Sequence, residues 1–307
     1  MTDLAAAAGD YLDLRRALGY KLPQAGGLLN AFVEYLQGIG APSITTKDAL
    51  AWAMAPTSAE PAWWANRLSV VRGFALYLQT LDPSTQVPPT GLIPHPNRRT
   101  TPYIYSPAEI AALLGAARRL LHPFRAATYE TFFALMAATG MRNSETRDLD
   151  RGDVDFTAGE LTVVHGKFDK TRLLPLHPST LDALHRYALW RDKSFPRPKD
   201  PSFFISTEGT RLIRSNVNRT FRQLLTDSAI TWAPRKHQPR PHDLRHTFAV
   251  TTILNWYRGG VDVQAHLPLL STYLGHVLPA DTYWYLTTVP ELLTLVADRL
   301  ERAGAQS

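Results

Sequence analysis

Six prolines fall between Pro83 and Pro102, in the stretch PSTQVPPTGLIPHPNRRTTP. A residue that locks φ and removes a backbone donor, repeated at that density, excludes both a helix and a central strand. The chain is therefore divided into a short N-terminal part and a long C-terminal part, each of which must bury its own core. The expected organisation is a helical domain over residues 1–82, an extended linker over 83–102 that ends in Arg98 and Arg99, and a second domain over 103–307. Such a linker either leaves two lobes free to close around something wide or is a plain spacer.

The first part reads as four short helices. Leu4 to Leu18 is rich in Ala and Leu, and after Pro23 the residues Leu28, Leu29, Phe32, Val33, Tyr35 and Leu36 follow a helical rather than an alternating period. Thr45 or Thr46 caps a third helix through Ala53, and Pro61 to Leu81 supplies a fourth. The bundle is either plain scaffold or a module that touches DNA, and Arg67 and Arg72 on the last helix are too few to decide.

The second part mixes helices with short β-like runs. Ser106-Pro107-Ala108-Glu109 is a capping box with Pro at the first helical position, which starts a helix to Leu120. Phe124 to Thr139 is apolar around most of its circumference, as a buried helix must be, and Gly140 ends it. Arg142 then opens a short helical turn, with Glu145 three residues on to orient its guanidinium. An arginine there is either a site residue or an ordinary ion-pair partner. Glu160 to His165 and Thr171 to Leu176 flank GKFDK and form a hairpin with Lys167 and Lys170 at its tip. Those lysines are solvated turn residues, or an arm that reaches into a groove and delivers a proton. A helix near Pro178 to Trp190, a strand-like Phe203-Phe204-Ile205 and a helix from about Ser215 to Asp227 follow. The last of these turns Val217, Phe221, Leu224 and Leu225 to one face and Arg219 and Arg222 away, an outer face suited to phosphates. The fold class is mainly α with a small β-sheet (α+β).

Composition narrows the chemistry. There are no cysteines, which excludes disulfides, thiol nucleophiles and cysteine-ligated metals. Neither an H-E-x-x-H pair nor a phosphate-binding G-x-x-x-x-G-K-[ST] loop occurs, so the expected chemistry needs no metal, no ATP and no cofactor. No apolar run reaches the roughly 18 residues of a membrane span, and the N-terminus lacks the basic start of a signal peptide; a cytoplasmic protein is expected. Basic residues outnumber acidic ones 33 to 27. That excess is concentrated in residues 191–258, where 13 Lys/Arg face 5 Asp/Glu, against 8 and 7 in residues 1–100. A basic field of this kind suits a polyanion.

The field surrounds PHDLRHTFAVTTILNWYRGGVDVQAHLPLLSTYLGHVLPADTYWY, from Pro241 to Tyr285. On a helix His242 and Arg245 are i and i+3 neighbours and can converge on one anion. His276 follows a Gly at a helix end, and nine residues later Tyr285 offers a hydroxyl able to attack phosphorus. The constellation reads as phosphoryl transfer through tyrosine.

The ordered set ATGMRNSE, VHGKFDKTRLLPL, HDLRH, LGH and a tyrosine nine residues after that histidine resembles the tyrosine recombinases, the phage-integrase family. The likeness covers the C-terminal two-thirds by motif; the N-terminal helices resemble the family's core-binding, SAM-like domain in size, helicity and position. It implies that Arg142 and Arg245 are the two catalytic arginines and Lys167 the catalytic lysine and general acid. His242 and His276 would be the two histidines, with His242 accepting the tyrosine's proton, and Tyr285 the nucleophile. It further implies a C-shaped clamp on double-stranded DNA, a 3′-phosphotyrosyl intermediate, and a homo-tetramer on DNA or an assembly with sister recombinases. A type IB topoisomerase and a DNA-binding accessory protein without catalysis are the alternatives. The interval from Arg245 to His276 is long for the family and brings in His266 as a rival, and Tyr283 lies beside Tyr285.

Overall fold

The computed structural model describes residues 3–20, 22–94, 101–164, 171–232, 238–276, 278 and 280–288, in two compact units, Met1–Arg99 and Thr100–Ser307. Arg98, Arg99, Lys167 and Lys170 lie outside the described residues.

The first unit is built from α1 (Leu4–Ala17), α2 (Pro23–Gly38), α3 (Thr46–Met54) and α4 (Pro61–Leu78). Side-chain caps start two of them: the Asp3 carboxylate accepts from the Ala5 and Ala6 amides, and the Thr45 hydroxyl from Asp48. Their apolar stripes meet in one core in which Leu29, Phe32, Leu36, Val71 and Phe74 are fully buried. Arg67 lies 3.7 Å over the Trp52 ring and donates to the Trp52 carbonyl at 2.7 Å, while Arg72 donates to the Pro88 carbonyl. Both arginines stitch this unit together. The proline-rich stretch is not extended throughout, because Gln86 accepts from the Thr46 amide at 2.9 Å and Ile93 is buried against the bundle. Proline forbids a ladder there without preventing side chains from covering the helices.

In the second unit α5 (Pro107–Arg118) and α6 (Pro123–Thr139) come first, then α7 (Asn143–Asp148). The Ser106–Glu109 capping box forms in full. Strands β1 (Val154–Asp155), β2 (Glu160–Val163) and β3 (Arg172–Pro175) make an antiparallel sheet in the order β1-β2-β3, with Leu161 opposite Leu174 and Val163 opposite Arg172. The chain continues through α8 (Pro178–Ser194), α9 (Arg214–Asp227), α10 (Pro241–Arg258), α11 (Val263–Leu274) and α12 (Ala280–Thr288). The main core gathers around α6, where Phe132, Phe133 and Met136 are fully buried, and draws in Leu161, Leu174 and Phe221. A smaller cluster joins α10, α11 and α12 through Val250, Ile253, Leu267 and Tyr285.

The fold is thus mainly α with a small sheet, as expected, with a further local exception besides the proline-rich stretch. Phe203 to Ile205 is not a strand: only isolated bridges flank it, Asp150 with Ser202 and Ile205 with Arg211. All three side chains are fully buried, and the bent backbone lets adjacent aromatics enter the same core, which a flat strand's alternation forbids. Among the described residues no helix is long and apolar enough to cross a membrane.

Candidate active site

Three arginines converge on one helix end. Gly275, in the left-handed region at φ 67°, stops α11, and the His276 amide folds back onto the Ser271 carbonyl. The last carbonyls of such a helix have no partner within it and carry the negative end of its dipole. Here three guanidiniums take them in turn: Arg172 Nε donates to Tyr273 O at 3.0 Å, Arg245 Nη2 to Leu274 O at 2.7 Å, and Arg142 Nη2 to Gly275 O at 2.7 Å. A Cβ on Gly275 would lie 2.8 Å from Arg172 Nη1, so that position must be glycine for the arginine to enter. Arg245 also donates to Gly140 O at 2.8 Å and is 1% exposed. Burial and then the neighbouring Arg142 lower its pKa to about 10, leaving it charged at neutral pH.

Glu145 couples two of these arginines. Its carboxylate accepts from Arg142 Nη1 and backbone N–H and from both Arg172 Nη atoms. Burial alone would raise its pKa; the hydrogen bonds and charge of Arg172, with Arg142, hold it at about 2. Arg172 has no counterpart in the sequence reading. Its only signal there was an arginine at the foot of the hairpin whose tip carries Lys167.

The tyrosine and histidines complete the site. Tyr285 is 2% exposed on α12, and its hydroxyl lies 3.0 Å from Nδ1 of His246. His246 sits one turn after His242 on α10, ring centroids 4.7 Å apart. His276 stacks on Tyr285 at 6.3 Å, and its Nδ1 is 2.7 Å from the hydroxyl of buried Thr282. Burial raises the Tyr285 pKa, with Arg245 and Arg142 pulling the other way. Burial, followed by surrounding positive charge, lowers His242 to about 4 and His246 and His276 to about 3.

Of the six expected site residues, Arg142, His242, Arg245, His276 and Tyr285 are thus brought together, and Lys167 is outside the described residues. The rivals stand apart. Tyr283 is 45% exposed, and His266 points its Nδ1 at Asp262 O at 2.8 Å with its ring beside Trp256. His246 was missed, although it stands in the HDLRH motif.

The histidines make stability depend on pH. Each has a folded pKa below its ordinary 6.5, so the unfolded chain binds protons that the folded one does not. Their stabilising contribution is present above about pH 6.5 and is lost progressively as pH falls from there through the folded values of about 4 and 3. Glu145 adds a further loss only below its ordinary 4.5. The thermal midpoint is expected to fall steadily from about pH 7 to pH 5; a flat midpoint across that range would contradict a neutral histidine cluster.

Beside the site lies a cavity of about 790 Å³ whose lining includes Arg142, Arg147, Arg214, Arg222, Arg240 and His242. Arg222 from the outer face of α9 belongs to this basic wall, whereas Arg219 lines a separate hollow. Five guanidiniums around one opening fit a phosphate-rich polymer better than a single small anion.

Residues 105–290 match the model of the phage integrase family. Over 311 aligned residues the chain is 42% identical to the putative integrase/recombinase y4rB of Sinorhizobium fredii (strain NBRC 101917 / NGR234), covering 98% of each chain. It is 30% identical to tyrosine recombinase XerD of Chlamydia pneumoniae, over 72% of this chain and 68% of that one. Among solved structures, the XerH site-specific recombinase bound to its difH substrate superposes with a TM-score of 0.67 at 18% identity, covering 98% of this chain and 86% of that one. The Tn1549 transposon integrase in complex with a circular intermediate DNA gives 0.68 at 15% identity, over 96% and 99%. With the motifs and the converging side chains, these matches lead to one conclusion: the chain belongs to the phage integrase family and is a tyrosine-type site-specific recombinase.

Proposed function

We propose that this recombinase binds double-stranded DNA and exchanges its strands through a 3′-phosphotyrosyl link, with Arg142, Lys167, His242, Arg245, His276 and Tyr285 at the reacting phosphate. The buried Tyr285 hydroxyl, set among arginines and histidines beside a basic cavity, is the observation that carries this reading. A phosphodiester resists attack because its anionic oxygens repel nucleophiles; the Arg142 and Arg245 guanidiniums offset that charge and stabilise the pentacovalent transition state. Their contacts with the end of α11 and with Glu145 hold them in place before DNA arrives. Tyr285 attacks phosphorus, the P–O5′ bond breaks, and Lys167 protonates the leaving oxygen. The freed 5′-hydroxyl of one duplex then attacks the link on its partner. One ester replaces another of similar energy, so no ATP, metal or cofactor is called for.

Duplexes selected from host DNA by affinity for the purified protein, nicked next to the cleaved position so that the short product diffuses away, test the proposal. A denaturation-resistant adduct is expected, with peptide mapping placing the nucleotide on Tyr285. Absence of an adduct, or its mapping to Tyr283, would overturn the assignment.

Replacing Lys167 with Ala is expected to slow adduct formation by about 10²–10⁴-fold, the range of general acid catalysis. A 5′-bridging sulfur leaves without a proton and should restore most of that loss; without rescue Lys167 is a binding residue and Lys170 becomes the acid. Exchange between two duplexes further implies four protomers, as a homo-tetramer or with sister recombinases. Light scattering on paired sites is expected to give the mass of four protomers, and a persistent dimer or monomer would exclude that assembly.

A further inference from the structure

The nearest base to the nucleophile is not the histidine the family motif nominates. Nδ1 of His246 lies 3.0 Å from the Tyr285 hydroxyl, while His242, one turn earlier on the same helix, lines the basic cavity. Taking Tyr285 as the nucleophile, as proposed above, we infer that His246 receives its proton as the bond to phosphorus forms, and that His242 serves the phosphate.

The packing fixes this division of labour. His246 meets Tyr285 with ring centroids 5.5 Å apart and Trp284 at 5.6 Å, so α12 holds the imidazole from one side and His242 from the other. The charged and titratable groups around it are His242, Arg245 and Arg240 from α10 and its cap, His276 after α11, and Tyr285 from α12. None of these is anionic; burial first, and then the positive charge of these neighbours, keeps the imidazole unprotonated at neutral pH, with a lone pair available. His276 cannot use its Nδ1 in the same way, because Thr282 occupies it.

The proton balance closes. The Tyr285 oxygen–phosphorus bond forms, P–O5′ breaks, the phenolic proton passes to His246 Nδ1, and Lys167 gives a proton to the 5′-oxygen. One imidazolium appears as one ammonium is neutralised, so net charge is conserved. Before attack a free phenol holds its proton too tightly for this imidazole. As the oxygen becomes an ester oxygen its proton turns strongly acidic, so transfer belongs to the transition state. The incoming phosphate also offsets Arg245 and Arg142, which raises the imidazole's affinity for a proton.

Single-turnover adduct formation against pH tests the assignment in His246→Asn and His246→Gln, with His242→Asn alongside. The amides can hold the hydroxyl by a hydrogen bond but cannot take its proton. Both His246 variants are expected to be slowed by about 10²–10⁴-fold. Their rates should also climb by about tenfold per pH unit above neutrality, because attack now awaits a pre-ionised tyrosine. His242→Asn should keep the wild-type pH profile and lose DNA affinity or rate uniformly. A steep profile in His242→Asn instead, or in neither, overturns the inference while leaving the tyrosine mechanism standing. No adduct from the wild type overturns both. Unchanged DNA affinity and thermal midpoint in at least one His246 variant separates lost proton transfer from lost folding.

Discussion

Tyr285→Phe is expected to abolish the covalent DNA adduct outright, with DNA affinity almost unchanged. The substitution removes one oxygen from a ring that stays packed between α10 and α11. Folding loses the hydroxyl's hydrogen bonds with His246 and Arg245, each worth about 0.5–3 kcal/mol, while the ring's buried apolar contacts remain. Tyr283→Phe provides the control. That side chain is 45% exposed, so full adduct formation is expected there. An adduct that survives Tyr285→Phe and disappears in Tyr283→Phe would move the nucleophile and show that α12 rotates when DNA binds.

Arg245→Ala is expected to slow adduct formation by about 10³–10⁵-fold, the range for arginines that stabilise a transferring phosphoryl group. It should also lower the thermal midpoint, because Gly140 O and Leu274 O both lose their guanidinium donor and a buried acceptor left without a partner costs about 1–3 kcal/mol. Arg245→Lys should recover little of the rate. One ammonium on a flexible stem cannot reproduce a planar fork that spans two carbonyls from different helix ends and still meets a phosphate. Adduct formation by the lysine variant near the wild-type rate would reduce the residue's role to charge alone. Full stability with a lost rate would instead mean that the two carbonyls find other donors.

Arg245, proposed above to act on the phosphate, also has a structural place in the fold. The chain reverses at Gly140 and Gly275, both in the left-handed region, and each turn presents a carbonyl to a site arginine. The turn motifs next to Arg142 and His276 are therefore part of the site's framework. Their glycines admit close neighbours: a Cβ on Gly140 would meet Phe248 at 2.6 Å.

Local chemistry was legible from the chain alone. The capping box at Ser106, the glycine stop after Thr139 and the apolar face of α9 are decided within a few residues, by groups that satisfy one another over one helical turn. The basic field and the order of the motifs belong to composition and spacing, and they give the chemistry without a fold. Helical phase likewise places His242, Arg245 and His246 on one side of α10. What no phase angle states is which of those histidines faces the tyrosine, because that depends on where α12 packs 39 residues away. Arg172 is 27 residues from Glu145 and 101 from Tyr273, and its place in the site exists only once β3 lies beside the end of α11. Phe203 and Phe204 depart from their strand-like pattern for the same reason: burial of both rings in one core outweighs the local preference for extended backbone. The sequence by itself determined most of the helices, the hairpin and the order of the family motifs; only the tertiary structure decided which base meets the nucleophile and which cations hold the helix end, since those pairings arise from long-range packing rather than from neighbours along the chain.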